Sequence, residues 1–256
     1  MTIKDTSSLF AAFYKTLGYL FLFILFGLFL DSTFFIDNYS NNQWIPNISM
    51  FIGFVFVYFR ATEKIRQLMI HAVIIGIVGE YLFSVVLGMY TYRLGNVPHY
   101  VPPGHALVLV ATMYFCKKSV VKQYKKVLEI ALAIFIFLYG LLFLIFANDV
   151  FGFVMTLAVL FLLRNKPRER LFYYTMYIVV AFVEIVGTSY ECWKWPPTAW
   201  DVIPFLKSSN PPSGISLFYF LLDLGSLWIY KKRHKTAWAR MKNIRKLREG
   251  NTSTSL

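Results

Sequence analysis

Eight apolar blocks, bounded by charged residues or by proline-containing loops, take up most of this chain. They run over about 16–35, 44–59, 68–90, 102–116, 127–147, 149–163, 171–190 and 212–230. Their apolar residues are continuous rather than spaced at an amphipathic period, which is the pattern of membrane spans. In hydrocarbon a backbone must satisfy its own hydrogen bonds, which restricts such blocks to helices. Charged residues are only 15% of the chain, against roughly 25% in a soluble domain. The expected fold class is therefore an all-α integral membrane protein of about eight transmembrane helices. Several blocks fall short of the ~20 residues that cross a bilayer, so the second, fourth and sixth are expected to be tilted, or extended by flanking residues.

The basic residues orient this arrangement. With both termini in the cytoplasm, 23 of the 26 Lys and Arg fall on the inner side, leaving Arg93, Lys194 and Lys207 outside. Cytoplasmic enrichment of Lys and Arg sets topology, and merging or losing one span would invert every later loop. The net charge of +13 is thus a topology signal. There is no basic soluble domain of the kind nucleic-acid binding would need. The first block lacks the small-x-small site of a cleaved leader and is expected to remain as a span. The chain is expected in a plasma or inner membrane. Cys116 and Cys192 fall on opposite sides and cannot pair. Asn38 and Asn47 begin short glycosylation-type triplets.

One set of motifs occurs twice. Glu80 is followed by Tyr90-Thr-Tyr92, Val97-Pro98 and Pro102-Pro103-Gly104-His105. Glu184 is followed by Trp193-Lys-Trp195, Ile203-Pro204 and Pro211-Pro212-Ser213-Gly214. The basic turns Arg60–Arg66 and Arg164–Arg170 correspond at nearly the same offset. Four spans separate equivalent elements, so the two halves enter the membrane in the same direction, a parallel repeat. The expected organisation is a four-helix repeat over 1–116, a basic linker over 117–126, a second repeat over 127–230 and a basic tail over 231–256. In the tail, Trp238, Met241, Ile244 and Leu247 are spaced three apart among basic residues, as in a helix lying on an anionic leaflet. Coincidence remains the alternative for the repeat, and a solvated tail for the last segment.

The candidate chemistry lies in three acids inside apolar blocks. Glu80 shares a helix face with Ala72, Gly76, Ser84 and Gly88, so it points into the bundle. Glu184 is flanked by Ala181, Gly187 and Thr188, with Tyr177 two turns below. Asp223 belongs to a polar stripe of Ser216, Tyr219, Asp223, Ser226 and Tyr230. Hydrocarbon penalises the ionised form, and no Lys or Arg lies at mid-depth in any block to balance the acids. Intramembrane acids are by default functional, although each could also be a neutral hydrogen-bond donor holding helices together. Glu80, Glu184, His105 and Asp223 are therefore the candidate catalytic residues. Tyr90, Tyr92, Arg93, Trp193 and Trp195 are candidates for substrate binding, although Trp and Tyr also serve as interfacial anchors.

No nucleotide fingerprint, phosphate loop, nucleophile elbow or zinc motif is present, so neither cofactor nor metal is expected. The run from Gly88 to Pro98, Gly-x-Tyr-x-Tyr then Leu-Gly-x-Val-Pro, resembles a stretch of membrane-bound carotenoid hydratases. The resemblance covers this run alone, and no family is assigned from it. The leading expectation is an enzyme using general acid–base chemistry on a lipid or isoprenoid. The alternatives are a proton-coupled transporter of a small or amphipathic solute and a structural or assembly factor of a membrane complex. Expected partners are membrane lipids and a hydrophobic or amphipathic small molecule, with no nucleic acid.

Overall fold

The computed structural model describes residues 3–39, 43–236, 239–240 and 243. Each of the eight apolar blocks carries a long helix. The first is a continuous rod of α1 (Ile3–Phe13), a π-helical turn (Tyr14–Gly18) and α2 (Tyr19–Phe29). A short α3 (Thr33–Asn38) follows, capped by the Ser32 hydroxyl accepting from the Phe35 amide. Then come α4 (Trp44–Arg60), α5 (Glu63–Glu80) with a π-helical extension (Tyr81–Val86), and α6 (Val101–Lys117). A short α7 (Ser119–Gln123) leads to α8 (Lys125–Ala147), α9 (Val150–Leu163), α10 (Arg170–Ser189) and α11 (Ser216–Arg233). Pro102 and Pro103 sit in the first turn of α6, where a missing N–H costs nothing. At the break between α8 and α9, Asn148 takes a left-handed conformation and Asp149 caps α9 by accepting from the Gly152 amide.

Among the described residues, four helices are long and apolar enough to cross a membrane: Lys4–Phe29, Glu63–Val86, Lys125–Ala147 and Arg170–Ser189. Trp44–Arg60 and Val150–Leu163 are shorter and apolar. The outer face fits the same reading. On α8, Val127, Ile130, Ile134, Leu138, Leu142 and Ile145 form an exposed apolar stripe, while Glu129, Ile136 and Gly140 face inward. A soluble protein rarely exposes contiguous apolar area on this scale. The fold is thus that of an all-helical, membrane-embedded protein.

The centre is built from α5, α6, α10 and α11. α5 packs on α6 and α11, and α10 packs on both as well. α4 lies against α6, and α9 against α11. The first helix of each half breaks this pattern. The α1–α2 rod packs on α6 and α10, whereas α8 packs on α9 and α10. Glycines set the close approaches. A Cβ on Gly79 would fall 2.5 Å from the Leu222 side chain, and one on Gly140 would fall 2.9 Å from Thr156.

Some elements differ from the sequence expectation. The rod begins at Ile3, well before the apolar block. The basic connection 117–126 contains α7, whose Val121 is fully buried and which packs on α1. Two adjacent valines among lysines are enough to seat a helical turn there. Four short strands were not expected: β1 (Thr91–Tyr92), β2 (Trp193–Lys194), β3 (Thr198–Ala199) and β4 (Ile203–Lys207). They lie in the loops at the Pro-Pro end. Most of the expected surface helix of the tail, including Trp238, Met241, Ile244 and Leu247, lies outside the described residues.

Candidate functional site

The site forms where the two motif sets meet. After the π-helical turn Tyr81–Val86, Gly88 adopts φ +57°, a conformation that glycine takes without strain. The chain doubles back, and the Ser84 hydroxyl donates to the Tyr90 carbonyl at 3.1 Å. Tyr90 and Tyr92 thereby return to the acid ten and twelve residues before them. Their hydroxyls donate to Glu80 Oε2 at 2.5 and 2.6 Å. From α6, His105 Nε2 lies 2.7 Å from Glu80 Oε1. Gly76 permits this approach, since a Cβ there would meet the His105 ring and Pro102 at 3.3–3.4 Å. Burial above all, reinforced by the Glu80 charge, pushes the Tyr92 phenol well above its ordinary pKa.

The second copy is built in the same way with different chemistry. Trp193 Nε1 and Trp195 Nε1 donate to Glu184 Oε2 at 2.9 and 3.0 Å. Gly187 makes room, because a Cβ there would fall 2.0 Å from the Trp193 ring. Tyr219 of α11 lines the same cavity as Glu184, and its ring packs on His105 at 4.7 Å. By the motif alignment, the place of His105 is taken here by Gly214. That position is closed, with a Cβ falling 2.3 Å from the Gly152 carbonyl. Glu80 therefore has a histidine partner, and Glu184 has indoles.

The two aromatic pairs also join each other. β1 and β2 are antiparallel, with Thr91 opposite Lys194 and Tyr92 opposite Trp193. Extending the register by one residue sets Tyr90 opposite Trp195, and those rings lie 4.6 Å apart. The pairing is thus centred on Thr91 and Lys194.

Both acids line one open cavity. Tyr90, Tyr92, His105, Trp193, Trp195 and Tyr219 line it beside them. The remaining wall is almost entirely apolar and one-sided. It comes from Leu20 to Leu28 of α2, from Pro46, Ser49 and Met50 of α4, and from parts of α5, α6, α10 and α11. Nothing from α8 or α9 contributes to that wall. In that half Gly140, Gly152 and Gly214 bring backbone and side chains into contact, which leaves less room.

Two of the expected site residues lie outside this wall. Arg93 turns away and bonds Asp31 Oδ1 at 2.7 Å, while the Tyr100 hydroxyl donates to Asp31 Oδ2 at 2.7 Å. Asp223 lies one turn of α11 beyond Tyr219, on the side away from the Pro-Pro loops. Sequence reasoning missed Asp31 and Asp149, which tie the two loops to the helix ends. Asp149 accepts from the amides of Gly152, Ser209 and Ser213 at 3.1, 3.1 and 2.7 Å. The available signal was an acid at the edge of an apolar block, with Arg93 one of three basic residues on that side.

Comparisons with protein-family models, curated proteins and solved structures give no match, so the functional reading rests on this chain's own residues.

Proposed function

We propose that this chain is an eight-span membrane enzyme of two tandem four-helix halves, with both termini inside, acting by acid–base chemistry on a lipid with an unsaturated, isoprenoid-like chain. The observation that carries the reading is two buried carboxyls, with unlike partners, facing one hydrocarbon-lined cavity. The four central helices, the symmetric β1–β2 pairing and the twice-used motif support the tandem halves. The 23-to-3 division of basic residues supports the orientation.

In this reading the two acids divide the work. Glu80 receives two hydroxyls and a histidine, a donor set suited to a carboxylate, and with His105 it forms the proton-accepting side. Glu184 receives two neutral indole donors and serves as the proton donor, since environment assigns such roles. Protonating an alkene carbon leaves a carbocation, and the Tyr90 and Trp195 rings that line the cavity are the groups that would stabilise it. Loss of a proton to Glu80 would complete an isomerisation or ring closure. Attack by water deprotonated at Glu80 would complete a hydration.

The test is mass spectrometry of lipids from membranes carrying the wild type, Glu80→Gln or Glu184→Gln. Each glutamine keeps the size and some hydrogen bonds but cannot exchange a proton. The expected result is that both variants insert and fold, and that a precursor accumulates which differs from the wild-type product by a rearrangement or by one water. Unchanged lipid profiles with both correctly inserted variants would overturn the proposal.

A further inference from the structure

The reaction proposed above leaves Asp223 and the polar stripe of α11 unused. Tyr219, Asp223, Ser226 and Tyr230 succeed one another at steps of three or four residues, which places them on one helix face. That face is enclosed, with Asp223, Ser226 and Tyr230 all buried, and α11 packs on α5 and α10. One end of the stripe is the cavity, which Tyr219 and Glu184 both line. The other is the basic end of the bundle, where the Tyr230 ring stacks on His234 at 4.8 Å and Lys64 Nζ lies 5.6 Å over it. His71 of α5 is buried at the same end. Tyr219 lies one turn from Asp223 on the same helix, and Tyr173 of α10 packs on Phe220 of α11 with ring centroids 4.5 Å apart. Asp223 Oδ2 has no hydrogen-bond partner among the described residues, although buried carboxyl oxygens ordinarily have one.

We infer that Asp223 passes protons between the carboxyl pair and the inner side of the membrane, along this face of α11. The inference rests on the acid–base reading of Glu184. After Glu184 has given up its proton, Tyr219 donates its hydroxyl proton to the Glu184 carboxylate. The Tyr219 oxygen receives one from Asp223, directly or through one water. The Asp223 carboxylate is then reprotonated from the inner side by way of Ser226 and Tyr230. The net change is one proton moved from the inner side to Glu184, with every other group returned to its starting state. An acid inside a membrane bundle with no cation at its depth is the usual component of such a path.

The experiment needs no substrate. Protein in lipid nanodiscs is transferred into D2O, and the infrared carboxyl band that disappears in Glu184→Gln is followed as it exchanges. Asp223→Asn should slow that exchange about tenfold or more, the scale on which a positioned proton carrier acts. Asp223→Glu should restore it, and Tyr219→Phe should slow it like Asp223→Asn. Exchange at the wild-type rate in Asp223→Asn overturns the relay. Should Asp223→Asn fail to fold, Tyr219→Phe decides by the same criterion. Exchange that depends on Asp223 alongside unchanged lipid profiles in the glutamine variants would keep the relay and remove the enzymatic reading.

Discussion

Gly187→Ala is a single-methyl perturbation of the site. The Cβ it adds would fall 2.0 and 2.1 Å from two carbons of the Trp193 indole, and 2.6 Å from a third. Carbon atoms rest about 3.5–4.0 Å apart, so the ring has to move by ~1.5 Å. Trp193 Nε1 lies 2.9 Å from Glu184 Oε2, and a shift of that size breaks the bond. Overpacking costs about 1–3 kcal/mol, and a buried indole N–H deprived of its acceptor about 1–3 kcal/mol more. The better helix propensity of Ala returns up to about 1 kcal/mol, which leaves a net loss of about 1–5 kcal/mol. Thermal unfolding in lipid nanodiscs should show it, and near-UV circular dichroism should change towards the signal of Trp193→Phe. Gly27→Ala is the control, because its Cβ would meet nothing within 4 Å, and it should melt at or slightly above the wild type. Wild-type melting and dichroism in Gly187→Ala would refute the packing of Trp193 over α10.

Other outcomes follow from the loop anchors and the topology. Asp149→Ala leaves the amides of Gly152, Ser209 and Ser213 without their carboxylate; at about 1 kcal/mol or more each, unfolding should show a loss of about 3 kcal/mol, and an unchanged melting point contradicts the anchoring role. A double-mutant cycle of Asp31→Asn and Arg93→Gln should give a coupling of about 2 kcal/mol or more for this buried pair, whereas near-additivity would show that the contact does not hold the loop. Burial pushes the Cys192 thiol well up, and it donates to the Leu28 carbonyl; it should resist maleimide until the protein unfolds, and rapid native labelling would contradict its enclosure. Single cysteines at Asn96 and Lys207, in a background without Cys116 and Cys192, should react with an impermeant reagent on intact cells, while one at Lys122 should react only after permeabilisation; the opposite result inverts the topology.

The apolar blocks and the acid–aromatic motifs were legible because hydrocarbon leaves few choices. A carboxyl in an apolar helix needs donors, and an aromatic pair able to donate follows each acid just past the end of its block: Tyr90 and Tyr92 after Glu80, Trp193 and Trp195 after Glu184. His105 was legible for a similar reason, being a polar side chain in the first turn of an apolar helix. Arg93 was read as facing a substrate, yet it pairs with Asp31, because a contact across sixty-two positions leaves no local trace. The one-sided cavity was likewise out of reach. It depends on Gly140, Gly152 and Gly214 closing one half while α2 and α4 leave space in the other. The facing of Tyr90 and Trp195 follows from strand register, which two-residue strands do not announce.

The central claim is that Glu80 and Glu184 act together on an apolar chain held in one cavity. A density map of the protein purified with its native lipid tests it most directly. The account predicts elongated density along Leu20, Phe23, Ile24 and Met50, ending between the two carboxyls beneath Tyr90 and Trp195. A dry site filled by protein side chains, or a water-filled path opening at the basic end, would contradict it.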